Sequence, residues 1–256
     1  MASADKKRVL ITENTEIAQG VFSMWIDAGN MAQSAKPGQF VSLFCNDKSY
    51  LLPRPISICE VDRDNLRLRL VYRVVGNGTK EFSKLIKNNT VEVMGPLGNG
   101  FTLEEGKKAI LIGGGIGIPP MLELSKQLNC EKHIVLGYRD ITFLNKEFET
   151  YGKVYVATED GSVGTKGNVL NAILANSLTA DIIYACGPTP MLSGIKEFAL
   201  KNGVKAQLSL EERMACGIGA CLGCVCKTKE TDHHSNVNNK RICKDGPVFY
   251  ASEVEL

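Results

Sequence analysis

The chain has 256 residues, room for two domains or more, and its 44% hydrophobic and 23% charged content is ordinary for a soluble globular protein. A formal net charge of +2 gives no reason to expect nucleic acid or an anionic membrane surface as partner, and the most apolar stretch, 109–122, is broken by Gly and Pro and too short to span a bilayer. Nine cysteines are an odd number, and four of them (Cys216, Cys221, Cys224 and Cys226) bunch near the C-terminus, which suits a metal site in a reducing compartment better than a disulfide framework. No apolar run long enough for a signal peptide follows Lys6-Lys7-Arg8, so a cytoplasmic protein is expected.

From residue 8 to about 104 the chain reads as short strands: Arg8–Thr12, Val21–Asp27, Gln39–Cys45, Ile56–Val61, Leu66–Val74 and Thr90–Met94. The alternation in Leu66-Arg67-Leu68-Arg69-Leu70 marks a half-buried antiparallel strand. Six strands without long intervening helices predict a small barrel, interrupted by one helix over Thr79–Lys87 with Phe82, Leu85 and Ile86 at helical spacing. Two features here suit a cofactor. In Arg54-Pro55-Ile56-Ser57 the proline pushes Arg54 into an extended conformation, so the strand presents a guanidinium suited to a diphosphate and a hydroxyl suited to a flavin ring nitrogen. Gly76-Asn77-Gly78-Thr79 is a glycine turn opening a helix, whose first N–H groups form an anion site. Each alone also reads as a loop or a capped turn.

The pattern changes near Gly106. Ala109–Ile112 reads as a buried strand, Gly113-Gly114-Gly115-Ile116-Gly117-Ile118-Pro119-Pro120 as a glycine loop, and Met121–Leu128 as a helix with Met121, Leu122, Leu124, Ser125 and Leu128 on one face. Strand, glycine loop and helix in this order can cradle a pyrophosphate; a proline replaces the last fingerprint position, which a first helical turn accepts. Strands at His133–Tyr138, Val154–Thr158 and Asp181–Ala185 and helices at Leu144–Thr150, Val169–Ala175 and Thr189–Lys201 predict a parallel α/β sheet. Cys186-Gly187-Pro188-Thr189-Pro190-Met191 is again a loop at a strand's carboxyl end, where ligands of open sheets bind, and Thr158–Ser162 is a third. At the end of the second strand Asp140 suits a ribose hydroxyl and Arg139 a 2′-phosphate, which leaves NAD against NADP open.

Near the C-terminus, Cys216, Cys221 and Cys224 stand at C-x4-C-x2-C spacing with Cys243 downstream, the plant-type spacing for a [2Fe–2S] cluster. Gly217, Gly219 and Gly223 let the backbone turn its N–H groups toward sulfur. A zinc site would favour paired C-x2-C units, of which only one is present. Cys226 is surplus to the spacing, and His133, His233 and His234 have no paired ligand spacing.

Arg-Pro-x-Ser, Gly-x-Gly-Thr, Gly-Gly-Gly-x-Gly-x-Pro-Pro and Cys-Gly-Pro-x-Pro-Met-Leu, in that order, resemble the ferredoxin-reductase superfamily. The closing Glu-Arg-Met-Ala-Cys-Gly-x-Gly-Ala-Cys-x-x-Cys narrows the resemblance to electron-transfer subunits of class 1B dihydroorotate dehydrogenases. That resemblance implies an FAD-binding barrel (1–104), an NAD-binding α/β domain (105–208) and a [2Fe–2S] segment (209–256). FAD would lie at Arg54, Pro55, Ile56 and Ser57, at Val71, Tyr72 and Arg73, and at Gly78 and Thr79. NAD would dock at Gly113, Gly114, Gly115 and Gly117 and near Cys186, Gly187, Pro188 and Met191, and the cluster would use Cys216, Cys221, Cys224 and Cys243. A partner subunit carrying FMN would oxidise dihydroorotate, two copies of each subunit forming a heterotetramer. Electrons would pass from FMN through the cluster and FAD to NAD, in pyrimidine biosynthesis. No acid–base dyad for dihydroorotate is expected in this chain. The rivals are the reductase subunit of a sulfide dehydrogenase or of an NAD–ferredoxin transhydrogenase, and a non-enzymatic iron–sulfur sensor.

Overall fold

The computed structural model describes residues 6–229, 231 and 237–256. The first five residues and residues 230 and 232–236, which include His233 and His234, lie outside the described residues.

Six strands close an antiparallel barrel in the order β1-β2-β5-β4-β3-β6: β1 (Lys6–Ala18), β2 (Val21–Asp27), β3 (Phe40–Phe44), β4 (Arg54–Asp62), β5 (Arg67–Arg73) and β6 (Thr90–Leu97). Alternation decides what each face buries. In β3, Val41 and Leu43 point into the barrel core with Ile11, Met24, Ile58 and Leu70. Phe40 and Phe44, one residue out of phase, pack outside it against the rest of the molecule. Helix α1 (Asn30–Ser34) is a single turn whose sequence has no period long enough to announce it. Helix α2 runs over Asn77–Phe82, starting two residues before the expected span and ending five before it. It stops because turns take over: Leu85 N–H donates to Phe82 O at 3.1 Å and Ile86 N–H to the Asn89 side chain at 3.0 Å.

The second sheet has seven strands, ordered β10 (Thr165–Lys166), β9 (Lys153–Thr158), β8 (Lys132–Tyr138), β7 (Ala109–Gly114), β11 (Ile182–Cys186), β12 (Lys205–Ser209) and β15 (Val248–Tyr250). All pair in parallel except β15, which runs antiparallel to β12. Helices α3 (Pro120–Gln127) and α4 (Asn145–Glu149) cover one face through Met121, Leu122, Leu124 and Phe148. Helices α5 (Val169–Ala175) and α6 (Thr189–Lys201) cover the other through Val169, Ile173, Leu192 and Ile195. With both faces covered, these strands are continuous apolar runs, as in Ala109–Ile112, and not alternating ones.

Charged contacts lock the barrel to the α/β sheet. Glu123 on α3 is fully buried; it accepts from Val61 N–H at 2.9 Å on β4 and from the Arg63 guanidinium at 3.3 Å. Arg69 on β5 reaches Glu147 of α4 at 3.1 Å. A buried carboxylate persists only when such donors satisfy it, so these contacts fix the angle between the two sheets. The last segment adds a hairpin, β13 (Val225–Lys227) against β14 (Asn239–Arg241), then returns through β15 to the sheet edge. No helix among the described residues is long and apolar enough to cross a membrane.

Candidate functional site

The barrel, the glycine loop and the stretch entering the cysteine segment together wall a cavity of about 470 Å³. Its lining includes Arg54, Pro55, Ile56 and Ser57 from β4, Val71, Tyr72 and Arg73 from β5, and Thr79 from α2. Gly78 lies just beyond: a β-carbon there would stand 2.5 Å from Arg54 Nε, so the missing side chain lets the guanidinium settle over the helix start. The Thr79 hydroxyl is taken up by the turn, accepting from Val75 N–H at 3.0 Å and Gly76 N–H at 3.2 Å. The N–H groups of Gly78 and Thr79 fall in the first helical turn, where no intrahelical acceptor exists. The opposite wall of the cavity, to which nothing in the sequence points, is Phe40, Ile116, Ser209, Leu210, Glu211, Glu212, Met214 and Pro247. Those come from remote segments that only the folded sheet edge brings near. Glu211 is an exposed residue at the edge of the cavity, and the protein gathered around its carboxyl, by displacing part of its water, raises its pKa. A shallower depression, walled by Leu51, Leu52 and Pro53, continues outward past Arg54.

The two remaining glycine motifs meet each other. Strands β7 and β11 are neighbours at the point where the strand order reverses, so their carboxyl-end loops lie side by side, the usual ligand crevice of such sheets. A β-carbon on Gly117 would come within 2.5 Å of Cys186 O, and one on Gly114 within 2.4 Å of Met191 Sδ. A β-carbon on Gly187 would stand 3.1 Å from Gly114 Cα. These glycines therefore permit loop-to-loop contact. Gly115 differs: its φ is +54° and nothing lies within 4 Å of its β-position, so it turns the chain into open space. Gly113 packs on Ile118, and Pro188 abuts Gly114. Cys186 is buried, and burial foremost, with Glu211 adding, pushes its thiol up to about 12 against the Ser209 hydroxyl, which excludes a ready nucleophile. Arg139 and Asp140 are exposed at the end of β8.

The four cysteines of the expected set form two close pairs. Cys216 and Cys221 are in thiol–thiol contact, and so are Cys224 and Cys243. The hairpin joins the second pair across the chain: Ile242 N–H donates to Cys224 O at 2.9 Å and Cys243 N–H reaches Cys224 Sγ at 3.4 Å. The loop's own amides turn inward, Gly219 N–H to Cys243 Sγ at 3.1 Å and Ala220 N–H to Cys216 Sγ at 3.2 Å. Gly217 and Gly219 make this possible with φ of +71° and +82°. Arg241 ties the loop down through Gly219 O at 3.0 Å and pairs with Asp245 at 3.1 Å. Burial acts to raise Cys216, but donors from Ile218, Ala220 and Cys221 outweigh it and bring the thiol to about 6; burial and the Cys224 neighbour push Cys243 up to about 12. Among the described residues no three His, Cys, Asp or Glu groups converge as a single ion would need. Two thiol pairs with inward N–H donors fit a two-iron group, which these four cysteines would hold. Cys226 lies on β13, partly buried against the core.

A family model described as the iron-sulfur cluster binding domain of dihydroorotate dehydrogenase B matches residues 211–255. The electron transfer subunit of dihydroorotate dehydrogenase B (NAD(+)) from Caldanaerobacter subterraneus subsp. tengcongensis is 42% identical, with 97% of this chain and 98% of that protein covered. The subunit of that name from Fusobacterium nucleatum subsp. nucleatum is 43% identical over 96% and 97%. This chain belongs to the family of dihydroorotate dehydrogenase B electron transfer subunits. Membership implies a catalytic partner subunit. Among solved structures, one of an NADH-dependent reduced ferredoxin-NADP oxidoreductase superimposes with a TM-score of 0.87 at 30% identity, covering 96% of this chain and 89% of that one. Phthalate dioxygenase reductase shares the fold, with a TM-score of 0.61 at 18% identity over 93% of this chain and 94% of that one.

Proposed function

We propose that this chain is the electron-transfer subunit of a NAD-dependent dihydroorotate dehydrogenase, taking electrons from an FMN-bearing partner that oxidises dihydroorotate and delivering them to NAD⁺. The observation that carries the reading is the adjacency of the three sites. Met214, two residues before Cys216, lines the same cavity as Ser57, and Ile116 of the glycine loop lines it too.

Arg54 and the N–H groups of Gly78 and Thr79 hold the diphosphate of FAD, with Ser57, Val71, Tyr72 and Arg73 along the rest of the cavity. Gly113, Gly114, Gly115 and Gly117, with Cys186, Gly187, Pro188 and Met191, form the NAD dock. Cys216, Cys221, Cys224 and Cys243 hold a [2Fe–2S] cluster. When bound, a flavin supplies two-electron exchange with NAD and one-electron exchange with a cluster, chemistry that no side chain provides. The protein's own work is positional. Arg54 neutralises the diphosphate, the inward amides of 219–220 stabilise charge on sulfur, and the Glu123 and Arg69 contacts keep the nucleotide loops aligned with the barrel.

Exposed Ile218, Leu222 and Val225 surround the cysteine loop, an apolar rim suited to a protein face. Two copies of each subunit complete the assembly, and the complex works in the cytoplasm. Co-expression with the FMN subunit from the same source tests the reading: NADH should form from dihydroorotate only when both chains are present. A second reading, a transhydrogenase-type reductase subunit, is favoured by the 0.87 superposition. It prevails if no complex forms while the chain alone oxidises NADH with a dye.

A further inference from the structure

Ser42 stands in the middle of β3 at 1% exposure, and its hydroxyl has no hydrogen-bond partner among the described residues. A buried hydroxyl without a partner carries its full desolvation penalty, and Ala or Val would fill a strand face flanked by Phe40 and Phe44 at no such cost. The alternation of β3 sets where the hydroxyl points. Val41 and Leu43 enter the barrel core, so Ser42 faces outward with Phe40 and Phe44, toward the core that contains Cys224 and Cys243. The cysteine loop comes close to it there: a β-carbon on Gly217 would stand 2.9 Å from Ser42 Oγ, and 3.5 and 3.7 Å from Leu97 and Met94. Gly217 follows Cys216 directly, and Ser42 is paired in register with Pro55 of the flavin strand. One buried donor thus lies at the seam between the two proposed cofactor sites.

We infer that Ser42 donates its hydroxyl hydrogen bond to a sulfur of the iron–sulfur group bound at Cys216, and so raises the reduction potential of that group; this rests on the cluster assignment above. The amide donors of the loop serve Cys216 and Cys243, and Ser42 supplies one from the barrel. Hydrogen bonds to sulfur favour the reduced form, which carries one more negative charge, and are among the levers that set cluster potentials.

The test is an EPR-monitored redox titration of the whole subunit and of Ser42→Ala, with the flavin midpoint followed in the same samples. The expected result is a cluster harder to reduce, its reduced-to-oxidised ratio at fixed potential about tenfold lower, which is about 59 mV for one electron. The flavin midpoint should stay put and Ser42→Thr, which keeps the hydroxyl, should restore the wild-type value. An unchanged cluster midpoint in Ser42→Ala overturns the inference, as does failure of Ser42→Ala to take up the cluster while FAD stays bound, since a donor that only tunes potential is dispensable for assembly. If the wild-type protein itself shows no [2Fe–2S] EPR signal, the cluster assignment falls instead.

Discussion

At the end of β7 and in the loop after it, Gly114 and Gly117 stand where any side chain would strike Met191 or the backbone of Cys186; in the cysteine loop, Gly217 and Gly219 are held at φ of +71° and +82° so that amides face sulfur. The first loop uses glycine for closeness and the second for curvature. The nucleotide loops are held by a seven-stranded sheet whose contacts are intrinsic to the chain. The cysteine loop has no regular structure of its own between Glu211 and Cys224, and relies on Arg241, the hairpin and the thiol pairs. A rigid sheet presents one site and a ligand-organised loop the other, so they should fail independently.

The most severe break is Cys224→Ser, which removes one thiol of the buried pair. Complete loss of the [2Fe–2S] EPR signal is expected, with FAD retained and NADH–dye activity preserved; loss of the flavin as well would show the two regions to be one unit. Arg54→Ala strikes the cavity between them. Removing a charge-assisted bond of about 1.5–3 kcal/mol should weaken FAD binding roughly 10- to 100-fold, read by titrating apoprotein with FAD, while the cluster spectrum stays unchanged.

The nucleotide loop is probed by two glycines, Gly117 packed against protein and Gly115 left-handed and in open space. Gly117→Ala forces backbone apart and should cost about 1–3 kcal/mol in denaturant unfolding, with KM for NADH up about tenfold or more. Gly115→Ala meets no protein atom and should cost about 1 kcal/mol from its left-handed backbone alone, yet still raise KM if the nucleotide fills the space beside it.

The smallest effect is remote from both loops. The Arg67 guanidinium, with Asn65, holds the Asp62 carboxyl down to about 2. A lowered carboxylate stabilises the fold above its unfolded value near 3.9 and loses that contribution as pH falls toward 2. Because the pair stays in contact with solvent, Asp62→Asn should cost under about 1 kcal/mol at pH 7 and less at pH 3, measured by thermal unfolding, with both cofactor sites untouched.

Much of this organisation is written locally. Val21–Asp27, Val169–Ala175 and Thr189–Lys201 coincide with the observed elements because apolar periodicity and flanking Gly, Asn and Pro act within a few residues. The cavity wall from β4 was legible for the same reason, since Arg54-Pro55-Ile56-Ser57 carries its own backbone constraint, whereas Val71, Tyr72 and Arg73 of β5 came only with the family resemblance. Strand β12 and strand β15 were not read, because three to five residues without alternation become strands only against a neighbour already in place. Glu212 and Met214 read as a lead-in to the cysteines and not as cavity wall, since their approach to Ser57 depends on how the chain leaves β12. Ser42 has no local signature at all; a serine in a strand becomes notable only once its hydroxyl is found buried beside Gly217.

Rapid-freeze EPR after mixing the subunit with NADH, run on FAD-loaded and FAD-depleted protein, tests most directly whether the cavity at Ser57 stands between the nucleotide loops and the cysteines. The account predicts a [2Fe–2S] signal in the loaded protein, appearing no earlier than flavin bleaching, and none in the depleted protein until FAD is restored. A cluster signal driven by NADH in FAD-free protein would contradict it.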